Sequence, residues 1–135
     1  MKMNEQLLIH PLVWGREDER DVRALFVRNL CVDAHIGVNH SEQGRSQRLR
    51  IDLNAYLRAP FEWGDRLQDV LDYDRLRQGV LDLLAQGHIN LLETLGDRIV
   101  QMCFAYREVD GVHLQITKLE AHTDCEVGFE TWRRR

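Results

Sequence analysis

The sequence predicts an α+β domain: a four-stranded antiparallel sheet with two helices on one face, in the order ββααββ. Three observations carry this. Residues 48–57 alternate strictly, with Leu49, Ile51, Leu53, Ala55 and Leu57 on one parity and Arg48, Arg50, Asp52, Asn54 and Tyr56 on the other, the pattern of a half-buried antiparallel strand. Two adjacent segments in mid-chain carry helical spacing instead. Strand-like runs lie on both sides of that helical pair, so the helices must share one face of a single sheet.

Residues 1–20 read as an N-terminal extension, separate from a single domain over 21–135. They hold Pro11, Gly15 and the charged run from Arg16 to Arg20, and are expected to form a loose arm or an irregular segment on a neighbour. From Asp21 to His35, apolar residues fall on both parities, as Phe26 and Leu25 illustrate. That reads as a strand buried on both faces. Gly37 then permits a turn, and 39–44 form a polar hairpin loop before the alternating strand. Pro60 and Gly64 mark 58–71 as a connector. Leu76, Val80, Leu83 and Leu84 give the first helix, which Gly87 stops. Leu92, Leu95, Ile99, Met102 and Tyr106 step by three and four through the second. Asn90 and Glu93 suit N-cap and third position of a capping box there. Asp110-Gly111 is read as a turn into two last strands, about 112–119 and 124–132, and Arg134–Arg135 as a frayed end.

Composition excludes several classes of function. A chain of 135 residues is one domain, small enough that oligomerisation would help it bury surface. With a net charge of −4 and no basic cluster, nothing marks a nucleic-acid or polybasic membrane surface. No apolar run reaches the length of a membrane span. Cys31, Cys103 and Cys125 are odd in number and far apart, which suits a reduced, cytoplasmic protein rather than a disulfide framework. His122 and Cys125, or His35 and His40, could each touch a metal, but two ligands are too few for a structural zinc site. Glycine-rich phosphate loops and the G-x-S-x-G elbow are absent. No cofactor is expected.

One residue stands out. The chain has 16 Arg and only two Lys, and the sole internal Lys is Lys118. Arg holds its proton at any working pH, whereas Lys can release one when its surroundings lower its pKa. Lys118 ends the alternating run that starts at Val112, which puts it at the rim of the sheet. Glu42 in the hairpin loop, Tyr73 at the entry to the first helix and Glu93 in the first turn of the second also lie at element ends, where sites are built. Each also fits a plain structural role: a solvated loop acid, a packed helix start, a capping acid, a surface charge.

Taken in order, these positions resemble the dihydroneopterin aldolase family. Ile36-Gly-Val-Asn-His-Ser-Glu42 followed by Gln47-Arg-Leu-Arg-Ile-Asp-Leu53 is similar to the family's first hairpin. Leu71-Asp-Tyr73 is similar to its L-x-Y helix entry, and Ile89-Asn-Leu-Leu-Glu-Thr-Leu95 to its F-x-L-[LV]-E-x-[LV] motif. Val112 to Lys118 is similar to its active-site strand, with Val127-Gly128 in the strand after it. The likeness spans about 21–133. It departs at Lys118-Leu119-Glu120-Ala121, where aldolases commonly have Lys-Pro. The related dihydroneopterin triphosphate epimerases have Lys-Leu-x-Ala.

The resemblance implies the tunnelling fold, with subunits closed into a ring, as a tetramer or stacked octamer, and pterin sites between them. It implies that Glu93 anchors the pterin through its carboxylate, with the backbone around Leu92 and Leu71 completing that edge. It implies that Lys118, Glu42 and a Tyr73 from a neighbouring subunit carry the proton chemistry, without a metal. The expected activity is retro-aldol cleavage of 7,8-dihydroneopterin in folate synthesis. Epimerisation of dihydroneopterin or its triphosphate is the alternative, and a non-catalytic pterin-binding ring the second.

Overall fold

The computed structural model describes residues 21–135, so the expected N-terminal extension lies outside the described residues. The elements are β1 (Ala24–Ala34), β2 (Gln47–Leu57), α1 (Tyr73–Leu84), α2 (Leu92–Phe104), β3 (Val109–Lys118) and β4 (Val127–Arg134). The four strands form one antiparallel sheet in the order β1-β2-β3-β4. The ββααββ order is the expected one.

β2 folds as its alternation demands. Leu49, Ile51, Leu53 and Ala55 are fully buried beneath the helices, the last three opposite Ile116, Leu114 and Val112 of β3 and Leu49 opposite Lys118. From the helices come Leu76 and Val80 of α1, and Leu95, Ile99, Val100 and Cys103 of α2. Both helices therefore lie on one face of the sheet, and the other face is polar. There, His113 stacks on Trp132 at 4.3 Å between ring centroids and meets Glu130 at 2.8 Å.

β1 corrects the expectation of a strand buried on both faces. It is an edge strand with a bulge: Val27 pairs with Leu53, but the next core partner is Leu30, opposite Ile51. The extra residue reverses the parity, and Asn29 takes it up at φ 57°, a conformation Asn tolerates. The Asn29 amide donates to the Asp52 carboxylate at 2.7 Å. Leu25 and Val27 face the helices before the bulge, and Leu30 and Val32 after it. Apolar residues on both parities are thus two half-buried stretches out of phase, and Phe26 on the outer parity is 52% exposed.

The capping box expected at Asn90 and Glu93 does not form. Ile89 is held extended, its amide donating to the His35 carbonyl at 2.9 Å and its carbonyl accepting from the Gly37 amide at 3.0 Å. The helix therefore starts only at Leu92, its N-cap is Leu91, and Glu93 is its second residue. α1, by contrast, has a side-chain cap, the Asp72 carboxylate accepting from the Asp74 amide at 2.9 Å.

Asp110 and Gly111 also move, from a turn into β3. The turn is earlier, where the Val109 amide donates to Tyr106 O at 3.1 Å, and Asp110 falls at a register shift opposite Tyr56 and Leu57. β4 starts at Val127 rather than about 124 and runs on to Arg134. Nor is the C-terminus frayed. The Arg135 guanidinium donates to the carbonyls of Phe104, Tyr106 and Val109 at 2.8–2.9 Å, which satisfies carbonyls that the end of α2 would otherwise leave open.

α2 lies along β4 with its N-terminus at the Lys118 end. Gly96 makes this approach possible: a Cβ there would sit 2.6 Å from the Phe129 ring. Gly96→Ala is expected to destabilise the domain by about 1–3 kcal/mol through overpacking. In urea unfolding this would appear as a lower midpoint with an unchanged slope.

Candidate active site

The site grows from the turn between β1 and β2. Gly37 has φ +128°, where a side chain is strained. A Cβ there would overlap the Glu42 carboxyl carbon, so only glycine lets that carboxylate lie against the backbone. The turn is tied from three sides. The Gly37 amide donates to Ile89 O at 3.0 Å, and Gly37 O accepts from Gln43 Nε2 at 2.9 Å and lies 2.8 Å from His88 Nε2. A single 3₁₀ turn, His40–Glu42, then brings the carboxylate round.

Lys118 reaches the same point from β3. It follows Ile116 on the helix-facing parity, opposite Leu49 and Val127, but the strand ends there and the side chain meets the turn instead of the core. Lys118 Nζ donates to Glu42 Oε2 at 2.6 Å. Gln47 Nε2 donates to the same oxygen at 2.8 Å, and the Asn39 amide to Oε1 at 3.2 Å. The two side chains of the ion pair are only 19% and 16% exposed. The hydrogen bond from Lys118, then that from Gln47, lower the Glu42 pKa to about 2, against the opposing effect of burial. The pair floors an open hollow of about 470 Å³ that Ser41, Arg45 and His122 also line.

Glu93 and Leu92 lie at this end too. Gly96, one turn further along α2, packs on Phe129, and Phe129 pairs with Ile116, two residues before Lys118. Glu93 is exposed and has no hydrogen bond or ion pair among the described residues. Its carboxylate therefore stands free at a helix N-terminus, where the backbone favours negative charge.

Tyr73 and Leu71 do not join this group. They line a different, apolar hollow of about 300 Å³ with Leu25, Leu57, Phe61 and Trp63. Leu57 is at the far end of β2 from Leu49, about 26 Å away at the rise of a strand. Tyr73 is 59% exposed there. One chain thus holds Glu42, Lys118, Glu93 and Leu92 at one end of its sheet and Tyr73 and Leu71 at the other.

Sequence reasoning did not single out Gln47, the Asn39 amide or His88 as parts of this site. Only Gln47 had a signal, as the polar start of an otherwise apolar-alternating strand. Burial pushes the Cys103 thiol up to about 12, so it is no nucleophile. Among the described residues, no group of three or more His, Cys, Asp or Glu side chains could hold a metal ion, and no helix is long and apolar enough to cross a membrane.

A ββααββ sheet with both helices on one face and a carboxylate–ammonium pair at the rim defines a tunnelling-fold protein. Residues 25–131 match the family model for dihydroneopterin aldolase. Among solved structures, a dihydroneopterin aldolase from Burkholderia thailandensis bound to guanine is 34% identical, over 95% of this chain and 98% of that one, with a TM-score of 0.74. A Vibrio cholerae protein assigned to the same enzymes is 27% identical over 85% and 99% of the two chains, with a TM-score of 0.77. Escherichia coli dihydroneopterin aldolase in complex with neopterin shares the fold, at 22% identity over 82% and 98%, with a TM-score of 0.71. A search of curated proteins finds no match. This chain belongs to the dihydroneopterin aldolase family.

The ion pair makes stability depend on pH in a defined window. The Glu42 pKa falls from an ordinary 4.5 to about 2 on folding, so the unfolded chain takes up the proton first. The stabilisation is therefore complete above about 4.5 and is lost as pH falls toward 2. Glu42→Gln is expected to be less stable than the native protein at pH 7, with the gap closing between pH 4.5 and 2. Urea unfolding across that range measures it. A gap independent of pH would mean that Glu42 is not held ionised by this pair.

Proposed function

We propose that this chain is a dihydroneopterin aldolase whose site forms between two copies, from the Lys118 end of one and the Tyr73 end of the other. The 2.6 Å contact between Lys118 and Glu42, at the same end of the sheet as the exposed Glu93, carries this reading. Glu93 offers two carboxylate oxygens to the adjacent N3–H and 2-amino donors of a pterin, a bidentate charge-assisted pair. The Burkholderia relative was found with guanine, which presents the same 2-amino-4-oxopyrimidine edge. Backbone groups near Leu92, and near Leu71 of the partner subunit, would complete that edge.

The reaction then needs only proton movement. In 7,8-dihydroneopterin the 2′-hydroxyl loses its proton, the C1′–C2′ bond breaks and glycolaldehyde leaves. The bonding pair passes into the N5=C6 imine, giving an enamine, and C1′ takes a proton to become the hydroxymethyl group. The substrate's own imine is the electron sink, so no metal or Schiff base is required. Lys118, paired with Glu42, handles the proton near N5 and C1′, and Tyr73 of the partner subunit serves the side-chain hydroxyl. General acid–base groups of this kind contribute about 10²–10⁴-fold.

The assembly we propose is a ring of four chains, single or stacked as an octamer. Among the described residues β1 and β4 each leave one edge unpaired, which proteins seldom leave open. Exposed apolar side chains also gather at both ends: Val38, Leu91 and Val127 at the Lys118 end, Trp63, Leu67 and Tyr73 at the other. The free cysteines Cys31, Cys103 and Cys125 accord with a cytoplasmic setting.

Incubation with 7,8-dihydroneopterin, followed by chromatography, tests the reaction. Hydroxymethyldihydropterin and glycolaldehyde are expected. Monapterin alone would make the protein an epimerase, and binding without turnover a non-catalytic ring. In the same assay Lys118→Arg is expected to lower kcat by about 10²–10⁴-fold with a smaller change in KM, because Arg keeps the charge but cannot give up a proton.

Two inactive variants test the shared site. Co-expressed Tyr73→Phe and Lys118→Ala chains, mixing at random in a ring, are expected to recover about a quarter of native activity, since one site in four takes both native residues. No recovery from mixed rings would place each site within one chain.

A further inference from the structure

We propose that Gln47 is a positioning residue of this site: its side-chain amide clamps the Glu42 carboxylate between the start of β2 and the Ile36 carbonyl, and so aims it at Lys118. The inference rests on the reading of the site given above. Gln47 is the first residue of β2, opposite Ala34, the last of β1, so its backbone is held by the sheet on the rigid side of the turn. Its Nε2 donates to Ile36 O at 2.6 Å and to Glu42 Oε2 at 2.8 Å. Both neighbours are pure acceptors, which fixes the amide with its NH₂ toward them and leaves no other orientation that satisfies both.

The consequence falls on Glu42. Oε2 takes two donors, Lys118 and Gln47, while Oε1 takes only the Asn39 amide at the longer 3.2 Å. Oε1 is therefore the oxygen with acceptor capacity left for the hollow, where a substrate hydroxyl or a water can use it. Without the amide, the carboxylate would hang on a flexible lysine and one long contact, and either oxygen could face Lys118. A glutamine suits this task because it donates twice from one nitrogen and adds no charge beside the pair. Glutamate at the same place would set one carboxylate against another. The other groups around Glu42 do not replace the clamp. His88 and Gln43 are spent on Gly37 O, Glu120 accepts from the Arg48 amide, and Arg45 and His122 line the hollow without a hydrogen bond or ion pair among the described residues.

The test is Gln47→Leu, similar in size but without donors, read in two ways. In the substrate-free protein, carbon-13 NMR of the Glu42 carboxyl is expected to show its titration midpoint moved up from the acid side toward the ordinary carboxylate range. In turnover of dihydroneopterin, kcat is expected to fall by about 10²-fold, the scale of a misplaced reacting group, with KM within about threefold. In a Glu42→Gln background the same change should cost kcat nothing further, because it acts through Glu42. Gln47→Arg, which restores donors to Ile36 O and Glu42, should keep the acid midpoint and most of the turnover. It also serves if the Leu variant does not fold.

An unchanged Glu42 midpoint in Gln47→Leu, or a loss of kcat that simply adds to that of Glu42→Gln, would overturn the proposal. An Arg variant that folds but is as impaired as Glu42→Gln would overturn it too. If the native protein did not cleave dihydroneopterin, the aldolase reading would fail, and the titration, which needs no substrate, would still decide the clamp.

Discussion

β2 is the constraint on which the other elements depend. Its helix-facing parity is apolar from Leu49 to Leu57, and it pairs along its length with β1 on one side and β3 on the other. Its two ends therefore set the two ends of the molecule. Leu49 stands opposite Lys118, and Leu57 stands beside the hollow that holds Tyr73. Because α1 and α2 lie along the same sheet, the N-terminus of α2 falls at the first end and that of α1 at the second. Tyr73, the first residue of α1, lies beside Leu57 and away from Lys118, so the proposed site, which uses both, would be completed by another copy.

At the Lys118 end, the proposed chemistry depends on keeping two charges close and partly out of water without neutralising either. Removing a carboxylate from water favours its protonation, and the hydrogen bonds from Lys118 and Gln47 outweigh that here. The turn supplies the geometry. Gly37 gives up its side chain so that the carboxylate can lie against it, and Ile89, Gln43 and His88 hold the turn from behind. Such a site is built on strand ends and a braced turn rather than a free loop, the kind of support that keeps reacting groups within reach of one another.

The surface outside the core follows from the size of the chain. A domain this small covers less of its apolar surface than a larger one. Much of what it leaves exposed lies at the two ends of the sheet, while Phe26 and Trp132 stand on the face away from the helices. In the proposed ring, the sheet edges left unpaired among the described residues and the exposed patches would meet the same partner, a second copy of the chain.

Much of this was legible in the sequence, for physical reasons. A period of two over 48–57 and a period near 3.6 in both helices arise from burial of one face, and burial of one face is what the fold delivered. The pairing of Glu42 with Lys118 was foreseeable only through the family resemblance, since 76 residues separate them and no local rule joins a loop acid to a strand end. The misreadings share a cause. β1 carried apolar residues on both parities because a bulge at Asn29 changes the phase, and phase is set by pairing with Asp52 on the next strand. The capping box at Asn90 fails because Ile89 is tied to His35 and Gly37, far away in sequence. Arg135 looked like a tail because its acceptors are carbonyls of α2 and the turn after it. By itself the sequence determined which segments are strands and helices and in what order, and it singled out candidate site residues, because periodicity and residue type are local properties. Only the tertiary structure decided that Gln47 grips Glu42 and that Tyr73 stands a strand's length from Lys118, because register and the meeting of distant turns exist only once the sheet has formed.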